Sequence, residues 1–346
     1  MFSTSKSSSS KALIAAAAIG AGGFLALRQA IRSSRLIDLA GKVVLITGGS
    51  RGLGLVMARQ FGQMGAKLAI CARDHNEVRD AQQDLRGRGV DVMGLPADVT
   101  QKQQVENLIG RVNHHFGGVD VLVNNAGSIQ VGPMETMTIE DYEQAMKLHF
   151  WAPLYTTLEV LPQMRQRRSG RIVNISSIGG KVPAPHLLPY SASKFALTGF
   201  SEGLRAELLK DGIYVTTVCP GLMRTGSARN ALFKSQHRQE YAWFAISDAT
   251  PGISISAERA AARIISACQH GEAETMVSFP PRLAATFHGV FPGITAEMNA
   301  LINAILPGPG GIGAEQRTGK QSESPVAPSI LTALNERAAV RNNEMR

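Results

Sequence analysis

Short, nearly unbroken apolar runs alternate along the chain with segments whose apolar residues recur every three or four positions. Lys42–Thr47 (KVVLIT), Lys67–Cys71 (KLAIC), Val90–Leu95, Val119–Val123, Arg171–Ile175 and Ile213–Val218 read as strands, with Glu274–Ser278 as a last one. Leu53–Gln63 places Leu55, Val56, Ala58 and Phe61 at helical spacing. Asn76–Arg88, Gln101–Phe116, Ser191–Lys210 and Ser256–His270 are further helices. Met137–Arg168 reads as mostly helical, broken near Pro153 and Pro162. Strands without polar alternation, separated by helices, predict a parallel sheet covered on both faces. Crossover handedness then makes it a doubly wound α/β domain, spanning residues 38–306.

The flanks differ from this middle. Residues 1–37 hold Lys6, Lys11, Arg28, Arg32 and Arg35 and no acid, so more than half of the net charge of +9 sits there. Within them Ala12–Leu27 is an uncharged apolar run, slightly short for a spanning helix of about 20 residues. It reads as a membrane-anchor-like segment, with a cleaved secretory peptide, a soluble extension or an organelle-targeting peptide as alternatives. The basic flank then points to membrane lipid as a partner and a membrane-associated location, the catalytic domain facing the cytoplasm. Residues 307–346 are rich in Pro, Gly and Ser and read as a flexible, disordered tail, with a short helix around Ile330–Val340. No Lys/Arg cluster or reader motif supports a nucleic-acid partner. No metal site is supported, because Cys71, Cys219 and Cys268 lack ligand spacing.

The turn after the first strand reads Thr47-Gly48-Gly49-Ser50-Arg51-Gly52-Leu53-Gly54. Glycines there permit a tight turn and close approach of backbone to a phosphate, and the following helix offers unpaired N–H groups. At the second strand's end stand Ala72, Arg73 and Asp74. An acid at the tip would bind the ribose hydroxyls of NAD, whereas Arg51 and Arg73 suit the extra phosphate of NADP. NADP(H) is the favoured cofactor, and Asp74 keeps NAD open.

Tyr190 and Lys194 are four residues apart at the start of a long helix and share a face. A tyrosine pKa near 10 is too high for a base at neutral pH, and a nearby ammonium lowers it. Ser177, after a buried strand, can donate to a substrate oxygen. Together with a dinucleotide turn, these residues form a hydride-transfer site.

These motifs resemble the classical short-chain dehydrogenase/reductase family: TGGSRGLG (Thr47–Gly54), Asp98 in ADVT, NNAG (Asn124–Gly127), NISS (Asn174–Ser177), YSASK (Tyr190–Lys194) and PGLMRT (Pro220–Thr225). The resemblance covers residues 40–280 and implies a Rossmann-type fold with a seven-stranded parallel sheet. It implies that Tyr190 is the acid/base, Ser177 orients the carbonyl, and Lys194 lowers the tyrosine pKa and binds the nicotinamide ribose. Cofactor contacts are implied at Thr47, Gly48, Ser50, Arg51, Gly52, Leu53, Gly54, Arg73, Asp98 and Val99. Asn125, Ala126, Gly127, Tyr190, Lys194, Pro220, Gly221 and Thr225 complete that set. His149 stands where the family usually has an Asn that helps hold a water leading to the lysine. It is counted with the catalytic residues, since histidine also donates and accepts hydrogen bonds. Family members are commonly dimers or tetramers, which implies a homodimer or homotetramer.

Residues 226–255, where the family's substrate lid lies, hold Leu232, Phe233, Tyr241, Trp243, Phe244 and Ile246. They suggest an apolar pocket or lid, with oligomer packing or a membrane-facing surface as alternatives. Phe279–Phe291 is a second apolar stretch. The expected reaction interconverts a lipophilic carbonyl compound and its secondary alcohol. The alternatives are an NAD-dependent dehydrogenase of the same family and a catalytically weak nucleotide-binding scaffold.

Overall fold

In the computed structural model, which describes residues 27–345, the apolar runs pair into one sheet. Its strands are β1 (Val43–Thr47), β2 (Lys67–Ala72), β3 (Val92–Pro96), β4 (Val121–Asn124), β5 (Gly170–Ile175), β6 (Ile213–Val218) and β7 (Glu274–Thr275). They lie in the order β3-β2-β1-β4-β5-β6-β7, all neighbours parallel. The helices are α1 (Gly52–Gln63), α2 (His75–Gly87), α3 (Lys102–Phe116), α4 (Ile139–Met146), α5 (Ala152–Gln166), α6 (Leu188–Leu208), α7 (His237–Ala249), α8 (Ala257–Gln269), α9 (Phe279–Val290), α10 (Pro292–Ile305) and α11 (Ala333–Arg341).

Strand residues alternate between two cores. Val44, Ile46, Leu68, Ile70, Val121 and Val123 pack with α1, α2 and α8. Val43, Leu45, Ala69, Cys71 and Leu122 pack with α3 and α5. Burial of each large aliphatic side chain contributes about 1.5–3 kcal/mol. Both faces are consumed, which is why the strands show no polar alternation and the domain is a single doubly wound Rossmann-type unit. Strand order reverses between β1 and β4, so the crevice for a dinucleotide opens at their C-terminal ends.

Two helix breaks differ from expectation. Between α4 and α5 the helix continues through one π-helical turn, Lys147–Trp151, just before Pro153, which enters α5 in its first turn. Pro162 lies inside α5 without ending it. The carbonyl that loses its N–H partner there belongs to Leu158, which is exposed to solvent.

A smaller core lies above the C-terminal edge of the sheet. Phe233, Tyr241 and Phe244 meet edge to face and pack with Val131, Ala228, Ala245 and Ala327. Short strands Gln130–Val131, Leu232–Phe233 and Arg317–Thr318 pair beside it. The chain beyond Pro307 therefore touches the body: after Arg317–Thr318 it supplies Ala327 and then α11, whose Asn335 donates to the Ala245 carbonyl at 3.3 Å.

The membrane expectations are corrected. Among the described residues no helix is long and apolar enough to cross a membrane. The apolar run Ala12–Leu27, except for Leu27, lies outside the described residues. Its basic flank is engaged by the domain: Arg32 pairs with Glu272 at 2.8 Å, the Arg35 carbonyl accepts from Arg171, and the Arg35 guanidinium lies 5.4 Å from the Tyr214 ring centroid. These charges meet protein groups, so they are not evidence for lipid as a partner or for a membrane-associated, cytoplasm-facing location.

Candidate active site

The Gly-rich turn joins β1 to α1, and the NNAG segment at the end of β4 fixes its shape. Thr47 Oγ1 accepts the N–H groups of Asn125 and Ala126 at 3.0 and 3.1 Å. Asn125 Nδ2 donates back to the Thr47 and Gly48 carbonyls at 3.0 and 3.1 Å. Gly48 has φ +64°, and a Cβ there would lie 2.9 Å from the Ala126 Cα, so glycine is required twice over. Leu53 and Gly54 form the first turn of α1, whose leading N–H groups face the crevice. Gly127 comes next, against His149.

At the neighbouring strand tips, Asp74 caps α2, accepting the N–H groups of Asn76 and Glu77 at 2.8 and 2.9 Å. Arg73 is exposed beside it. Arg51 pairs with Glu77 at 2.8 Å, and Glu77 also accepts the Ser50 hydroxyl at 3.0 Å. Asp98 turns the chain after β3, its carboxylate accepting from Thr100 N at 3.0 Å and Thr100 Oγ1 at 2.8 Å. Val99 is buried in the α3-side core.

The catalytic candidates converge on the other side of the crevice. A buried hydrogen-bonded chain runs beneath them from Thr156 through Asn124 and Asn174 to Ser201 and Thr217, tying β4, β5 and β6 to α5 and α6. Ser176 Oγ donates to the Lys194 carbonyl at 3.1 Å, which sets the end of β5 against α6. Ser177 Oγ accepts the Gly179 N–H at 3.0 Å, leaving its own proton to donate. It also hydrogen-bonds Tyr190 and draws the phenol pKa down. Burial outweighs that effect, and Tyr190 is pushed up to about 12. Burial likewise lowers Lys194 to about 7; its ammonium donates to the Ile175 carbonyl at 2.8 Å and sits 5.6 Å from the Tyr190 ring centroid.

His149 occupies the π-helical turn. Its Nε2 accepts the Ser128 N–H at 3.2 Å, so the proton is on Nδ1, 2.8 Å from Ser193 Oγ. Ser193 in turn donates to the Tyr190 carbonyl at 2.8 Å. Burial, then the Lys194 charge, holds the imidazole pKa well below its usual value, so the ring is neutral. Both ring nitrogens are thus committed to the protein.

The loop after β6 closes the crevice. The Pro220 carbonyl accepts from Ile178 N–H at 2.7 Å, linking it to the Ser177 side. Gly221 lies against Pro281 of α9, and buried Thr225 accepts the Ser227 N–H at 3.2 Å. The aromatic residues expected to line a pocket mostly serve the small core instead. Phe233, Tyr241 and Phe244 are buried against one another, while Trp243 is half-buried and donates to Glu240 at 2.7 Å.

Three polar residues here were not singled out from sequence. Glu240 is fully buried and pairs with His186 at 2.8 Å. Asp248, pushed up to about 7 by burial, accepts the Ser227 hydroxyl at 3.2 Å and bears electrostatically on Tyr190. Glu344 reaches the Gly-rich turn from the C-terminus. No local motif announces any of them, because His186, Ser227 and the Gly-rich turn, which they meet, lie far away in sequence.

The residues present fit a bound dinucleotide. The turn presents helix N–H groups to an anion, and a Cβ added at Gly52 (φ +55°) would lie 2.8 Å from the Glu344 carboxylate, so an acidic oxygen already rests against the turn.

The short chain dehydrogenase family matches residues 42–235. The chain is 34% identical over 262 residues to the dehydrogenase/reductase SDR family protein 7-like of Anopheles gambiae, covering 74% of this chain and 81% of that one. L-sorbose reductase from Gluconobacter frateurii, solved with NADPH and L-sorbose, superposes with a TM-score of 0.62 at 28% identity, covering 69% and 97% of the two chains. A short chain dehydrogenase/reductase from Burkholderia phymatum, solved with NAD, shares the fold with a TM-score of 0.70 at 22% identity, covering 75% and 96%.

Proposed function

The chain belongs to the short chain dehydrogenase family and is an oxidoreductase of that class; from that premise we propose that it reduces a lipophilic carbonyl compound to its secondary alcohol with NADPH. The carrying observation is the convergence of Ser177, Tyr190 and Lys194 across the crevice from the Gly-rich turn. The Gly-rich turn and Lys194 would hold a nicotinamide dinucleotide, which would supply the hydride. Ser177 Oγ donates to the carbonyl oxygen and orients it. Tyr190 Oη delivers the proton as charge develops on that oxygen, and burial keeps the phenol protonated at neutral pH. Lys194 stabilises the phenolate left behind. His149 is a positioning residue: through Ser193 it holds the first turn of α6, and with it Tyr190, against the Ser128 backbone.

Cofactor choice rests on the tip of β2. Asp74 is engaged as a helix cap, and Arg73 and Arg51 supply guanidinium groups near the adenosine ribose end. A lipophilic substrate is supported by the α9–α10 hairpin. It borders the crevice through Pro281 against Gly221 and through Asn299, which donates to the Pro183 carbonyl at 2.9 Å. It exposes Phe279, Leu283 and Phe291. The test is consumption of NADPH and of NADH by the full chain across a panel of apolar ketones. Turnover with NADPH well above that with NADH is expected. Preference for NADH would overturn the cofactor assignment, and no turnover with any carbonyl would favour the scaffold alternative.

A further inference from the structure

Residues 342–344 lie in the crevice itself. Glu344 is buried between two loops, its Oε2 accepting the Gly226 N–H at 2.7 Å and its Oε1 facing Gly52. The Gly52 N–H, one of the leading donors of α1, is taken by the Asn342 carbonyl at 2.9 Å. Asn343 donates to the Ser50 carbonyl at 3.1 Å. Arg59 holds the Asn342 side chain and the Arg341 carbonyl, each at 3.0 Å. Arg51 bears electrostatically on the carboxylate. A backbone carbonyl therefore uses a leading N–H of α1, and an acidic side chain fills the space over the same turn.

Resting on the dinucleotide reading above, we propose that Asn342–Glu344 form an internal competitor for the diphosphate site, docked in the free protein and displaced when NADPH binds. The two occupants exclude each other, because the space over Gly52 holds the Glu344 carboxylate at contact distance. The segment is built to leave. Helix α11 buries mainly Asn335 and the small Ala338 and Ala339, while Leu334 and Val340 are exposed, so little apolar surface anchors it. The contacts at the turn are hydrogen bonds, which exchange for water at small net cost. No bond is made or broken in the switch. A segment docked nine-tenths of the time weakens apparent binding about tenfold.

The experiment compares NADPH and NADH binding by the full chain, Glu344→Ala, and a chain ending at Arg341, together with hydrogen exchange on the unmodified full chain. Tighter binding is expected in both altered forms, by about tenfold in the shortened chain and severalfold in Glu344→Ala. The hydrogen-bonded amides of Asn342 and Glu344 are expected to be protected in the free protein and to exchange fast once NADPH saturates it. Equal affinity in all three forms overturns the proposal and leaves the cofactor reading standing. So does protection of these two amides that persists under saturating NADPH. Failure of every form to bind either dinucleotide overturns the cofactor reading together with the proposal. The exchange measurement needs no variant, so a misfolded truncation leaves the test intact.

Discussion

The two ends of the crevice meet their polar groups differently. At the nucleotide end, the Gly52 donor and the Ser50 carbonyl of the β1–α1 turn are partnered by Asn342 and Asn343, and Glu344 takes the Gly226 donor of the loop after β6. At the catalytic end, Tyr190 and Lys194 are enclosed with few polar neighbours, so the phenol rises to about 12 and the ammonium falls to about 7. An anion site keeps its donors partnered because an unpaired buried N–H is costly. A proton-transfer site can be left short of partners, because its groups respond by shifting pKa instead. The lysine expected to lower the tyrosine pKa does not dominate it in this structure; burial does.

Removing the ammonium should damage the catalytic end strongly. Lys194→Ala is expected to lower kcat/KM roughly 10²-fold, read by steady-state kinetics under NADPH saturation. An unchanged rate would mean that the buried lysine contributes only to packing. At the nucleotide end, Arg51→Ala with Arg73→Ala is expected to weaken NADPH binding by roughly 10–100-fold while NADH binding changes little, as for lost charge-assisted contacts. Equal losses for both dinucleotides would place the arginines away from the distinguishing phosphate.

The turn also carries a pH dependence. Burial raises Glu344 from 4.5 to about 7 when docked, so the docked state binds more protons between those values. Docking therefore weakens as pH rises through that window. Apparent NADPH affinity of the full chain, measured relative to Glu344→Ala, should improve with pH, by at most about tenfold per pH unit. The groups facing Glu344 are Arg51, Glu77 and Asp248. Asp248 also titrates near 7, which is why the variant serves as the reference.

The smallest effect concerns His149. Its depressed pKa means that the unfolded chain binds a proton that the folded one resists, so stability falls as pH drops below the usual histidine value of 6.5. His149→Asn should lose that slope in thermal melts across mildly acidic pH. An identical slope in both proteins would remove His149 as its cause.

Much of the sheet was legible because β1, β2, β4, β5 and β6 are buried on both faces, and that leaves a pure apolar signature. The Gly-rich turn was legible for a related reason: Gly48 and Gly52 sit at positive φ where other residues strain. The π-helical turn was not, since Lys147–Trp151 has ordinary helical composition and only the register of hydrogen bonds differs. The aromatic residues around Phe233 and Tyr241 were legible as a cluster but not as a self-contained core, because composition does not say which surface each ring meets. Least visible was the C-terminal contact. Asn342, Asn343 and Glu344 bind through single polar groups to residues some 120 to 290 positions away, and no periodicity marks them.

The central claim is that Tyr190 moves the proton in a hydride-transfer reaction. It is tested most directly by single-turnover reduction of a competent ketone with NADPH already bound, comparing the full chain with Tyr190→Phe. The phenyl ring keeps the packing and removes only the hydroxyl. The account expects NADPH affinity to change by no more than about twofold while the transfer rate falls roughly 10²–10⁴-fold; an unchanged rate would contradict it.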